Sequence, residues 1–208
     1  MGGEKINQSL NFQIAMTGVF GALSVVLVLT PFGYITIPGN PLAITIMHIP
    51  VILATVLGGL VPGIGVGLIF GITSMIRAVM IGSLFFYNPL ISVLPRMLFP
   101  VFVWLIFKLV SKINRILAGS FAAAAGTFFH TVIVITFIYF VYFDSYPAAK
   151  EAGAKSISGL IKTLGVVFLA NGLWEILAAV VIVTIVISAF YVSSKRSKIS
   201  KLDSDLEK

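Results

Sequence analysis

Apolar residues in this chain come in long unbroken blocks. Near Phe12–Thr30, Ala43–Leu60, Gly63–Ile81, Ile91–Val110, Leu117–Tyr142 and Leu164–Val192 each block holds enough mostly uncharged residues, at least about 17, to cross a bilayer core as a helix. A helix packed on a soluble core would alternate an apolar stripe with a polar face, and these blocks do not. The pattern predicts an all-α membrane protein of six transmembrane helices, over about 11–30, 43–60, 63–82, 91–111, 116–142 and 163–193. These form one domain across residues 1–208 and end in a basic tail, 194–208.

The charges sit at the ends of the blocks and set the expected topology. Lys5 precedes the first span, Lys108, Lys112 and Arg115 surround the turn between spans four and five, and Lys195, Arg196, Lys198, Lys201 and Lys208 follow the sixth. With six spans, both termini and that turn share one side, which carries nine of the fourteen Lys and Arg residues. Basic residues favour the cytoplasmic side, so both termini are expected inside, in an inner or plasma membrane. The first span has no small-residue cleavage site and is expected to be retained. The net charge of +7 is thereby explained by topology, and nucleic acid is not an expected partner.

Composition narrows the chemistry. Six spans leave no room within these 208 residues for a nucleotide-binding domain, and no GxxxxGK[ST] loop occurs. Cysteine is absent, which removes thiolate nucleophiles and Cys-ligated metal. His48 and His130 lie on different spans without an HExxH pattern, so no metal site, catalytic residue or bound cofactor is expected.

What remains are a few polar residues among apolar ones. Arg96 lies about one and a half turns into span four, where a charge costs roughly 2–3 kcal/mol on insertion scales unless it finds water or a partner. A guanidinium there suits a carboxylate or phosphate. Asn171, Trp174 and Glu175 are spaced to share one face of span six, like the wall of a polar cavity. Glu175 is the one acidic residue well inside a span; pairing with Arg96 or Arg77 is the structural alternative to a ligand role. His130, flanked by Thr127 and Thr131, is either a ligand contact or a satisfied structural histidine. His48 is open to the same two readings and precedes Pro50, which is expected to bend span two. Arg77 is expected at the membrane interface. The loops on the side opposite the basic residues are longer and carry turn formers, and there Asn40 and Asn88 are candidates to cover a ligand pocket toward the outer face. On span one, Gly18 and Ala22 are four apart with Ala15 beside them, a small-residue face open to close helix approach, from within the molecule or from a partner.

Four stretches, in this order and spacing, carry a resemblance: AMTGVFGAL at 15–23, IMHIPVILA at 46–54, GIGVGLIFG at 63–71 and NPLISVLPR at 88–96. The chain resembles the substrate-binding (S) components of energy-coupling-factor (ECF) vitamin transporters over nearly its whole length. The resemblance implies a six-helix subunit that binds a vitamin near the outer face. It also implies docking of a first-helix motif, usually Ala-xxx-Ala and here Gly18 and Ala22, onto the coupling protein EcfT, which carries two ATPases. ATP is then used by the partners. The Pro-Arg stretch is similar to the pantothenate branch, with riboflavin, a pyridoxine-type ring or cobalamin as alternatives. A solitary small carrier is the rival outside the family.

Overall fold

The computed structural model describes residues 9–35, 44–142 and 157–206. The first helix, α1 (Leu10–Leu29), is capped by Ser9, whose hydroxyl accepts the Phe12 N–H at 3.3 Å. A 3-10 turn (Pro31–Gly33) leads to a two-residue strand β1 (Tyr34–Ile35), paired antiparallel with β2 (Ile44–Thr45), Tyr34 opposite Thr45. Then follow α2 (Ile49–Gly58), α3 (Leu60–Ile81), a 3-10 turn (Leu84–Tyr87), α4 (Pro89–Ser92), α5 (Leu94–Val110) and α6 (Arg115–Tyr142). The last transmembrane unit runs as α7 (Ile157–Val167), a π-helical turn (Phe168–Gly172) and α8 (Leu173–Leu206).

Five helical stretches are long and apolar enough to cross a membrane: Leu10–Leu29, Leu60–Ile81, Pro89–Val110, Arg115–Val141 and Gly165–Ser193. The second block departs from the expected 43–60 helix. Pro50 sits in the first turn of α2, where its missing N–H costs nothing, so it opens a helix and does not bend one. The residues before it form β2 and a turn. The ten residues of α2 rise about 15 Å, half a bilayer core, and Ile49–Val56 are buried throughout. This half-length helix is the centre of the bundle: Val51 and Ile52 pack with Val66, Phe99, Val103, Ala122 and Val183 from four neighbouring helices. At its end Gly59, at φ 92°, adopts a backbone that favours glycine and turns the chain directly into α3. The last helix also differs from expectation, starting at Ile157 and continuing through the basic stretch to Leu206.

Helix α1 lies at the edge. Gly21, Ser24 and Val28 face the bundle, while Ala15, Gly18 and Ala22 are exposed, and a Cβ on Gly18 would meet nothing within 4 Å. The small-residue face expected on span one is thus not used for packing within the described residues.

Two glycines bring α3 against the start of α5. A Cβ on Gly67 would strike the Arg96 carbonyl, and one on Gly71 the Val93 backbone. Backbone cannot yield as a side chain can. Gly67→Val is therefore expected to push the two helices apart and lower the melting temperature in detergent, at a cost of at least about 1–3 kcal/mol. An unchanged melting curve would contradict the close approach.

Candidate functional site

The chain breaks at Val93, between α4 and α5, for a covalent reason. Pro95 has no N–H to give the Ile91 carbonyl four residues back. The Arg96 guanidinium turns back and donates to that carbonyl through Nη1. Pro100 likewise withholds a donor from the carbonyl of Arg96, the group that lies against Gly67. Arg96 is 5% exposed, and its cation lies over the rings of Phe70 and Phe86, 5.3 and 5.1 Å from their centroids. Its Nε has no hydrogen-bond partner, and no carboxylate contacts it among the described residues. A buried cation with one carbonyl and two ring faces is under-compensated, which suits it to an anion.

Arg96 lines a cavity of about 610 Å³, well sized for a small organic molecule. The wall takes in the C-terminal ends of α1, α3 and α6 and the beginnings of α5 and α8, through Val28, Arg77, Ile138, Arg96 and Glu175. The cavity therefore lies at the end of the bundle opposite the α2–α3 and α5–α6 turns, and opposite Lys108 and Arg115. Most of its lining is apolar.

The polar groups converge from distant parts of the chain. Glu175, 7% exposed, accepts through Oε1 from the Thr45 N–H (2.9 Å), the Thr45 hydroxyl (2.5 Å) and the Asn171 amide (3.1 Å). That carboxylate fastens β2 onto α8. The π-helical turn just before it sets the phase that brings Asn171 and Glu175 inward together, a local irregularity often found at functional sites. Arg77 donates to the Val28 carbonyl at the end of α1 (3.0 Å) and lies 4.2 Å over the Tyr34 ring, so it satisfies a helix terminus and also lines the cavity. Deeper in, His48 and His130 stack with centroids 5.4 Å apart, against Phe70 and Phe99.

Of the residues expected at a site, Arg96, His130, Asn171 and Glu175 meet in this one cavity. Arg96 and Glu175 do not pair with each other; each has the partners given above. Trp174 points elsewhere and is 51% exposed on the bundle surface. Adjacent helical residues are about 100° apart, so Glu175 pointing in sends Trp174 out. Asn88 is spent on structure: its side chain accepts the Leu90 N–H at 2.9 Å and caps α4, outside the cavity wall. Asn40 lies outside the described residues. The wall also holds His48, the other histidine of the spans, and residues the sequence did not suggest for a site, namely Tyr34, Thr45, Ser74, Arg77 and Phe86. Buried polar type was the available signal for His48 and Arg77; nothing local marks Thr45.

Comparison with known proteins gives two findings. A family model described as ECF transporter, substrate-specific component, matches residues 12–187. The chain is also 28% identical over 193 residues, 85% of its own length and 92% of the relative's, to the pantothenic acid transporter PanT of Lactococcus lactis subsp. cremoris.

Proposed function

This chain belongs to the substrate-specific components of ECF transporters, and we propose that it is the pantothenate-binding subunit of an ATP-driven importer. Membership makes it a multi-pass membrane transport component and not an enzyme. The substrate, the energy source and the orientation are our reading.

The observation that carries the substrate is Arg96, a buried guanidinium in the cavity wall with no acidic partner among the described residues. Pantothenate is a carboxylic acid with an amide and two hydroxyls. Arg96 would take the carboxylate as a charge-assisted pair. The Glu175 and Asn171 end would take hydroxyl or amide hydrogens, because a carboxylate there repels the ligand's own. The name of the Lactococcus relative supports the same choice. The end bearing Lys108, Lys112 and Arg115 would face the cytoplasm, which turns the cavity outward, toward external vitamin. The exposed Ala15, Gly18 and Ala22 would meet EcfT, with the two ATPases supplying the energy.

Calorimetry of the purified protein against the B vitamins tests the substrate. Tight binding of pantothenate is expected, with the other vitamins far weaker. Tight binding of an uncharged vitamin alone would remove pantothenate and leave the family untouched. Sustained uptake by vesicles holding this chain alone, without ATPases, would overturn the subunit reading.

A further inference from the structure

Below the Arg96 level the cavity wall holds a second polar feature, with its own internal logic. The Thr127 hydroxyl donates to the Ala123 carbonyl one turn back, at 2.9 Å. Its single hydrogen is thereby used, so in its 3.0 Å contact with His48 Nε2 the Thr127 oxygen is the acceptor and the ring is the donor. A neutral imidazole carries one N–H; with that on Nε2, Nδ1 presents a lone pair. His48 is 1% exposed, and Nδ1 has no hydrogen-bond partner among the described residues. The stacked His130 also has a buried ring nitrogen, Nε2, without a hydrogen-bond partner among the described residues. Both rings line the cavity. An orphaned acceptor in an apolar wall carries a desolvation cost that a donor from the cavity would remove.

We propose that His48 Nδ1 is a specificity contact for a ligand hydroxyl, held in acceptor form by Thr127, with the adjacent His130 ring completing the hydroxyl subsite. The cavity then reads a hydroxy acid by two opposite chemistries: Arg96 supplies donors to the anion, and His48 accepts from the hydroxyl. A ligand with the acid alone satisfies only half of it. This rests on the pantothenate reading above and adds which part of that molecule the histidines recognise.

The test compares pantothenate with the N-acyl-β-alanine that keeps its acid, amide and branched alkyl group but has hydrogen in place of both hydroxyls. Calorimetry is run on the unmodified protein, His48→Phe and Thr127→Val, each checked for folding by its melting curve. In the unmodified protein the deoxy analogue is expected to bind about 10- to 100-fold more weakly, the effect of stranding buried acceptors. In His48→Phe that ratio is expected to shrink at least several-fold. In Thr127→Val, which keeps the ring but frees its tautomer, it is expected to fall to an intermediate value. A merely structural role would weaken both ligands equally and leave the ratio unmoved. Tight pantothenate binding with the same ratio in all folded variants overturns the hydroxyl assignment alone. Failure of the unmodified protein to bind pantothenate overturns the substrate reading, and this assignment with it. If His48→Phe does not fold, the Thr127→Val ratio decides.

Discussion

Arg96→Ala is expected to weaken pantothenate binding by about 30-fold to several thousand-fold, roughly 2–5 kcal/mol. The size follows from the surroundings. The ligand carboxylate would enter a largely apolar cavity at a place where the guanidinium lies over Phe70 and Phe86. With that cation removed the carboxylate loses its partner and keeps its desolvation cost. Arg96→Lys is expected to recover only part of the loss, since an ammonium cannot present the planar fork. The apo protein should also feel the change, because the Ile91 carbonyl loses the donor that replaces Pro95's missing N–H. Affinity is therefore read by calorimetry on protein whose melting curve has been checked. Pantothenate affinity left intact in Arg96→Ala would refute the carboxylate assignment.

The second large effect concerns the opposite property, transport without loss of binding. Gly18→Trp is expected to abolish pantothenate uptake in cells carrying the complete importer, and to abolish co-purification with EcfT. Pantothenate affinity of the isolated protein should change by less than about threefold. An indole at Gly18 points away from the bundle, where a Cβ meets nothing, so the fold and the cavity are untouched. Close helix approach in lipid depends on small residues, and a ring at the contact forbids it. Undiminished uptake would show that the exposed Ala15–Gly18–Ala22 face is not where EcfT docks.

How far the sequence reached depends on what each physical constraint writes into it. Bilayer thickness is written as block length, so five of the six blocks appear as long apolar helices. The second block misled because an apolar run alone does not distinguish a membrane-long helix from a strand, a turn and a half-length helix. Asn171 and Glu175 were legible as an i, i+4 pair on one face, and the same spacing argument carried Trp174 too far, since it sits next to Glu175 and not above it. Asn88 had the type and place of a pocket residue, yet Asn before Pro is also a helix cap, and the cap is what the structure uses it for. Thr45 was out of reach for another reason. Thr45 meets Glu175 across 130 residues of chain, and a contact made by packing leaves no local mark.

The tether of Arg96 has a consequence for how this protein tolerates genetic change. The guanidinium is held by the main-chain carbonyl of Ile91, so substitutions at position 91 change a buried side chain but cannot delete the anchor. The vulnerable codon is instead that of Pro95, whose side chain touches no ligand in this account. Any other residue there restores an N–H that competes for the same carbonyl and loosens the guanidinium's hold on it. Mutational sensitivity thus extends one residue beyond the group that binds, onto a proline that random drift could alter without changing a single charge.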